Sequence, residues 1–178
     1  MKLPEVIYWD KSNDTSLPLF YSWCKFQNWE ILLAQSSIGL CFLGFKNKET
    51  NAFELLQKTF PKNELIEENT EFHQIVISHL KKNNWGKIPL HVKGTDFQIK
   101  IWEELLKIPA GKIKNYQDLH PNPNYARAVG SAVGSNPISI LIPCHRVTNK
   151  SGKWTQYLWG PSIKKALLER ENVYLDKK

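Results

Sequence analysis

Apolar positions in the first half of the chain follow two different periods. The apolar runs at residues 31–34 and 40–43 flank a short segment with serine and glycine, which predicts two antiparallel strands joined by a turn. Residues 49–60 and 70–80 instead place apolar side chains three or four positions apart, which is typical of amphipathic helices. The pattern therefore predicts a small antiparallel-sheet domain with helices, an α+β unit over residues 1–90.

The second half of the chain has the pattern of a helix, a tight turn and a second helix. Thr95 is suited to cap the first helix, and the second is predicted over residues 125–134. The β-branched run at residues 138–142 predicts an extended segment, and Ser162 is suited to cap a last helix. Because helix-turn-helix units dock on DNA, we predict a mainly helical DNA-binding domain over residues 91–178.

The charge distribution favours a polyanionic partner for the second domain. Residues 1–90 contain ten basic and ten acidic residues, whereas residues 91–178 contain fourteen basic and seven acidic residues. Positive charge confined to one half of a chain is typical of nucleic-acid binding. We expect several of the lysines in this half to contact phosphates, from the set Lys112, Lys114, Lys150, Lys153, Lys164 and Lys165.

The cysteines indicate a reducing compartment. Cys24, Cys41 and Cys144 are an odd number without close spacing, so we expect free thiols and a cytoplasmic protein. Because Cys24 and Cys41 have no CxxC partner and no histidine pair has ligand spacing, we expect no metal. The longest uncharged stretches are too short or too polar to span a bilayer, so we expect no membrane segment.

The segment Ile-Pro-Cys-His-Arg-Val, residues 142–147, places a thiol beside an imidazole and a guanidinium group. A free thiol has a pKa of about 8.5 and is only slightly ionised at neutral pH, so a nucleophilic cysteine needs a base or a positive field. Neighbouring side chains on an extended segment point in opposite directions, so a water molecule is expected to bridge Cys144 and His145. From composition alone, a buried structural cysteine beside a hydrogen-bonded histidine is the more common arrangement.

Motifs outside this segment favour a reactive cysteine over a structural one. Most of the chain from residue 94 to residue 171 resembles the O6-alkylguanine-DNA alkyltransferase family, also called the methylated-DNA–protein-cysteine methyltransferase family, whereas the first half resembles it only loosely. The segments that carry the resemblance are, in chain order, Thr95-Asp96-Phe97-Gln98, Trp102, Ile108-Pro109-Ala110-Gly111-Lys112, Tyr116-Gln117, Arg127-Ala128-Val129-Gly130, Asn136-Pro137-Ile138, Pro143-Cys144-His145-Arg146-Val147, Tyr157, Trp159-Gly160, Leu167-Leu168 and Glu171.

The resemblance implies a catalytic role for four residues. Cys144 would accept the alkyl group, and His145 would remove the thiol proton through a water molecule. Glu171 would hold and polarise His145, and Asn136 would order the turn around the site. Without the family pattern, Glu171 would be interpreted as a solvated helix carboxylate and Asn136 as a loop-capping amide.

The resemblance also implies a DNA-binding set. Arg127 would enter the base stack where the damaged guanine has been flipped out, and Tyr116 would press on the adjoining phosphate. The helix that carries Ala128, Gly130 and Ser131 would enter the minor groove, although its small residues suit tight packing on a neighbouring helix equally well. The connection from Tyr116 to Arg127 is shorter than the family's usual form and contains Pro121 and Pro123.

A third implied set lines the lesion pocket and consists of Thr155, Tyr157, Leu158 and Trp159. Three of these positions, Thr155, Leu158 and Trp159, are bulkier than the small-residue version of the family's loop. We therefore expect O6-methylguanine to react well and O6-benzyl adducts poorly, because overfilling a packed site is costly. The alternative is that Trp159 faces outward or lies flat as a pocket wall.

The resemblance implies a ribonuclease H-like N-terminal domain and a winged helix-turn-helix-like C-terminal domain. It implies a monomer without cofactor that acts once on double-stranded DNA, moving an alkyl group from O6-alkylguanine, or from O4-alkylthymine, to Cys144. The protein would be associated with the nucleoid if it is bacterial. The alternatives are a non-catalytic protein that flags damage, a transcriptional regulator switched by alkylation, and a cysteine hydrolase, but no oxyanion site is visible for the last.

Overall fold

The computed structural model describes residues 3–84, 86–149 and 157–174. The chain divides into two compact units, Met1–Gly94 and Thr95–Lys178. Among the described residues, no helix has both the length and the apolar character needed to cross a bilayer.

The described part of the first unit is a mixed sheet with two helices. Its strands follow the order β1-β6-β4-β3-β2-β5 across the sheet. Its elements are β1 (Val6–Tyr8), β2 (Leu19–Phe26), β3 (Trp29–Gln35), β4 (Leu40–Phe45), α1 (Ala52–Thr59), β5 (Leu65–Glu67), α2 (Glu71–Lys81) and β6 (Leu90–Val92).

The predicted hairpin is present as the antiparallel pair β3 and β4, and β2 pairs antiparallel with β3. The expectation of an antiparallel sheet is wrong for the remaining strands, because β6 runs parallel to β1 and β4, and β5 runs parallel to β2. The first unit extends to Gly94 rather than to residue 90, because β6 belongs to its sheet. Residues 31–34 are all fully buried, which explains why β3 appears as a continuous apolar run instead of an alternating one.

Both helices of the first unit begin at a side-chain cap. The Asn51 carboxamide oxygen accepts hydrogen bonds from the backbone N–H groups of Phe53 and Glu54, and the Thr70 hydroxyl accepts one from His73 N–H. These caps satisfy N–H groups that have no partner inside the helix. The helices predicted over residues 49–60 and 70–80 are therefore confirmed.

The second unit is mainly helical. Its described elements are α3 (Asp96–Leu106), β7 (Lys114–Asn115), α4 (Ala126–Gly134), β8 (Val147–Thr148) and α5 (Pro161–Arg170), with 3₁₀ turns at Tyr116–Leu119, Pro123–Tyr125 and Cys144–Arg146. Strands β7 and β8 pair in parallel. Thr95 and Gln98 form a capping box at the start of α3, and the Trp102 indole donates to Ala132 O (2.7 Å), which joins α3 to α4.

Two expectations about local structure are wrong. Residues 138–142 form a compact turn rather than an extended segment, because Ile142 N–H donates to Ile138 O (3.0 Å) and Leu141 N–H donates to Ser139 O (2.9 Å). Ile140 has a φ of 70°, which is unfavourable for a β-branched residue and must be imposed by the surrounding packing. Ser162 does not cap α5, because Gly160 holds that position and Pro161 begins the helix.

Candidate active site

Cys144 opens the 3₁₀ turn that follows Pro143, and it is a buried residue that lines a cavity. The residue is only 6% exposed, and its sulfur lies 3.8 Å from the Tyr157 hydroxyl. Burial raises the pKa of Tyr157 well above its usual range, so the phenol keeps its proton. A protonated phenol at this distance could donate to the sulfur whenever Cys144 loses its own proton.

The cavity has a volume of about 640 Å³. Its wall comes from α4 on one side and from the segments around Cys144 and residues 157–159 on the other. Pockets of this size accommodate drug-sized molecules. The wall includes Tyr116, Arg127, Gly130, Ser131, Asn136, Cys144, Tyr157, Leu158 and Trp159.

His145, which follows Cys144 in the chain, forms a buried pair with Glu171. His145 Nε2 lies 2.9 Å from Glu171 Oε1, which places the ring proton on Nε2 when the imidazole is neutral. Nδ1 then carries a lone pair, and this buried atom has no hydrogen-bond partner among the described residues. Burial lowers the pKa of His145, although the Glu171 carboxylate opposes this effect. His145 is therefore neutral at pH 7 and can accept a proton at Nδ1.

Arg146 shares the Glu171 carboxylate with His145. Its Nε donates to Glu171 Oε2 (2.9 Å), its Nη2 donates to Oε1 (2.8 Å), and Nη1 donates to Ile108 O (2.6 Å). Burial alone would raise the pKa of Glu171, but the hydrogen bonds from His145 and Arg146 outweigh it and lower the pKa to about 2. No role was predicted for Arg146 from the sequence, although its position directly after His145 indicated a place near the site.

Asn136 ties the turn of residues 138–142 together. Its Nδ2 donates to Ile142 O (2.8 Å), and its Oδ1 accepts from Ile138 N–H (3.0 Å). The side chain is buried, so both ends of the amide use their hydrogen-bonding capacity inside the protein. Asn136 thus fixes the backbone that leads into Cys144.

Lys164 is a buried cation near the thiol. It is 1% exposed, donates to Val147 O, and lies 5.9 Å from the centre of the Tyr157 ring. Burial lowers its pKa to about 8, and the neighbouring Cys144 opposes the decrease. The expectation that Lys164 contacts DNA phosphates is wrong, because the first turn of α5 turns this side chain into the unit.

The thiol itself is held in its protonated form at rest. Burial raises the pKa of Cys144, while the Asn136 and Tyr157 side chains and the charge of Lys164 counteract the increase. A thiolate at this position therefore requires a base that takes up the thiol proton.

The predicted DNA-binding residues lie on or near α4. Arg127 and Ser131 are exposed and line the cavity together with Gly130 and the half-buried Tyr116. Ala128 is exposed but lies outside the cavity wall. A Cβ atom added at Gly130 would meet no atom of the protein within 4 Å. Tight helix packing is therefore not the reason for the glycine at this position.

The four residues predicted to line the lesion pocket differ in where the structure places them. Trp159 is 2% exposed, and its indole N–H donates to Ser139 Oγ (2.7 Å), so it does not face outward and forms a fixed wall. Leu158 is exposed and lines the cavity, and Tyr157 contacts the thiol. Thr155 lies outside the described residues, as do Lys150 and Lys153. The poor reactivity of O6-benzyl adducts stays a prediction.

Comparison with known proteins adds independent information. Residues 96–173 match the family model described as "6-O-methylguanine DNA methyltransferase, DNA binding domain". The chain is 35% identical over 168 residues to the inducible methylated-DNA–protein-cysteine methyltransferase of Bacillus subtilis, covering 89% of this chain and 93% of that protein.

Solved structures agree with the sequence relatives. The crystal structure of Mycobacterium tuberculosis O6-methylguanine methyltransferase is similar with a TM-score of 0.70 and 30% identity, over 86% of this chain and 92% of that chain. The M. tuberculosis protein in complex with DNA is similar with a TM-score of 0.68 and 29% identity, over 85% and 92% of the two chains. The mixed α/β architecture is thus that of known alkyltransferases.

Proposed function

Since the chain belongs to the family of methylated-DNA–protein-cysteine methyltransferases and repairs DNA by alkyl transfer, we propose that Cys144 accepts the alkyl group from O6 of guanine. The observation that carries this proposal is the buried thiol at the cavity wall, backed by a neutral histidine and an ionised carboxylate. A nucleophilic thiol needs a base of this kind to become reactive at neutral pH.

The proposed reaction is a single displacement at the alkyl carbon. The Cys144 proton passes through a water molecule to His145 Nδ1, and the resulting thiolate attacks the carbon bound to O6. The S–C bond forms as the C–O6 bond breaks, the bonding electrons stay on the guanine, and the guanine takes up a proton from the imidazolium or from solvent. A thioether on Cys144 has no route back to a thiol here, so each molecule acts once.

Glu171 and Arg146 are proposed to prepare His145 for this step. The ionised carboxylate stabilises the imidazolium that forms when His145 accepts the proton, as a carboxylate does in other histidine-based relays. Arg146 keeps Glu171 ionised through two hydrogen bonds and limits its movement. Arg146 is accordingly a positioning residue.

DNA is the partner of the second unit, and we propose that α4 lies in the minor groove. Open space around Gly130 lets the groove approach the helix backbone, and Ala128 and Ser131 extend the same surface. Arg127 and Tyr116 both line the cavity. In this proposal Arg127 fills the gap left by an extruded base, and Tyr116 presses on the neighbouring phosphate. Extrusion costs a few kcal/mol, so a side chain that occupies the gap lowers that cost.

We propose the finer fold description on the same basis. The order β4-β3-β2-β5, with three antiparallel strands and β5 parallel to β2, supports a ribonuclease H-like first domain. Helices α3 and α4 with the β7–β8 pair support a winged helix-turn-helix-like second domain. The division into residues 1–90 and 91–178, with the boundary moved past the end of β6, then separates a structural domain from a repair domain. We further propose a cytoplasmic monomer, nucleoid-associated if bacterial, because three free cysteines suit a reducing compartment.

A single-turnover titration tests the proposal. Wild-type protein is mixed with duplex DNA containing one O6-methylguanine, and repaired guanine and intact protein mass are followed together. We expect one repaired lesion and one added methyl group per chain. Cys144→Ser should abolish transfer with DNA affinity nearly unchanged, whereas Cys24→Ser, the matched control at another buried cysteine, should still transfer. Transfer by Cys144→Ser, or repeated turnover by the wild type, would contradict the proposal.

A further inference from the structure

An aromatic cluster lies at the N-terminal end of α4, outside the cavity that contains Cys144. Its members are Tyr125, His120 and Phe97. The ring centres of Tyr125 and His120 are 4.5 Å apart, and Phe97 lies 5.9 Å from His120 and 6.1 Å from Tyr125. Tyr125 is nevertheless 46% exposed, so its ring packs against two neighbouring rings and still presents surface to a partner.

Local hydrogen bonds fix the backbone that carries this cluster. The Asn122 carboxamide oxygen accepts from Asn124 N–H (3.0 Å), and Pro123 begins the 3₁₀ turn that ends at Tyr125. Asn122 N–H donates to His120 Nδ1 (3.1 Å), which links the ring to the same turn. A ring that is already ordered loses little entropy on binding, which makes it an efficient contact residue.

The position of Tyr125 relates the cluster to DNA. Tyr125 directly precedes α4, and the next two residues, Ala126 and Arg127, line the cavity. A nucleic acid that places a nucleotide in the cavity must therefore pass close to the Tyr125 ring. Aromatic rings bind nucleotides through the faces of bases and the sugar, largely independently of sequence.

We propose that Tyr125 is a second DNA-contacting side chain, which packs its ring against the sugar and base of a nucleotide flanking the extruded one. The proposal rests on the proposed function and extends it, because it assigns part of the DNA affinity to an uncharged contact. His120 and Phe97 act as positioning residues that hold the ring in place. Arg127 acts inside the stack, whereas Tyr125 acts at its edge.

Binding measurements on three variants test this inference. We expect Tyr125→Ala to weaken binding to a lesion-containing duplex by about tenfold or more, as removal of a stacking ring commonly does. Tyr125→Phe should bind like the wild type because it keeps the ring. Tyr174→Ala removes another exposed tyrosine, 72% exposed beyond α5, and serves as the matched control without effect.

Two further measurements separate the outcomes. The dependence of affinity on salt should be unchanged in Tyr125→Ala, because no phosphate-neutralising charge is lost. Thermal unfolding of Tyr125→Ala should occur close to the wild-type temperature, which shows that the variant is folded. Wild-type affinity in Tyr125→Ala would overturn the inference, as would an equal loss in Tyr125→Phe. A wild-type protein that transfers no alkyl group would instead refute the proposed function.

Discussion

Replacement of Glu171 by glutamine removes the only negative charge from the buried His145–Arg146–Glu171 group while keeping its shape. The wild-type carboxylate accepts hydrogen bonds from His145, from Arg146 and, more weakly, from Gly111 N–H at 3.3 Å. In Glu171→Gln, Arg146 keeps its charge in a buried position without a counter-ion. The imidazolium that forms during proton transfer also loses its stabilising partner.

The expected losses of stability and of transfer rate can both be given a size. The pKa of Glu171 decreases from its ordinary value of 4.5 to about 2, which corresponds to about 3 kcal/mol of stabilisation of the ionised form. Glu171 should therefore contribute this stability at all pH values above about 4.5, and the contribution should disappear as the pH falls towards 2. Loss of a general-base system costs a factor of roughly 10² to 10⁴ in rate, so we expect transfer by Glu171→Gln to slow by at least about 10².

The assay is rapid-quench single-turnover transfer from an O6-methylguanine duplex, with denaturant unfolding measured in parallel. Glu169→Gln is the matched control, because Glu169 lies on α5 two residues before Glu171 and its exposed carboxylate is 3.5 Å from the exposed Lys165. We expect this control to transfer at the wild-type rate and to lose little stability. A folded Glu171→Gln protein with an unchanged transfer rate would refute the role of Glu171 in the chemistry.

Three other predictions concern DNA binding and pH. Arg127→Ala should reduce repair of duplex DNA more than repair of single strands in a transfer assay, because only a stacked base leaves a gap to fill; equal losses would reject the intercalating role. Gly130→Ala should raise thermal stability by up to about 1 kcal/mol, because the helix gains a better helix former and has room for it, yet it should weaken DNA binding. Unchanged affinity would mean that DNA does not approach this face. Burial lowers the pKa of His73 from 6.5 to about 4, so the unfolded chain binds more protons between these values and stability should fall by up to about 3 kcal/mol as the pH drops through this range. Unfolding of His73→Gln at several pH values checks this, and an unaltered pH profile would contradict it.

Elements defined by neighbouring residues could be predicted from the sequence. Thr95 and Gln98 cap α3 through bonds that span three residues, so the start of this helix is visible in the local pattern. The β3–β4 hairpin is likewise a contiguous signal. In contrast, β1, β5 and β6 have three residues each, and their parallel partners lie far away in sequence. Such strands have no periodicity of their own to detect.

The candidate site was predictable to the extent that a motif carries it. The Cys144–His145 segment is contiguous, and the resemblance added Glu171, which follows the last residue of α5. Burial of Lys164 could not be read from the sequence, because a lysine near the start of a helix is usually exposed. The sharing of Glu171 with Arg146 depends on how the 3₁₀ turn orients two adjacent side chains, and this requires coordinates.

The position of the transferred group tests the central claim most directly. Wild-type protein is incubated with duplex DNA whose O6-methylguanine carries an isotopically labelled methyl group, then digested and mapped by peptide mass spectrometry. The account predicts one labelled methyl group per chain on the peptide that contains Cys144, and unmodified guanine in the recovered DNA. Label on the peptides of Cys24 or Cys41, or label released into solution with Cys144 unmodified, would contradict it.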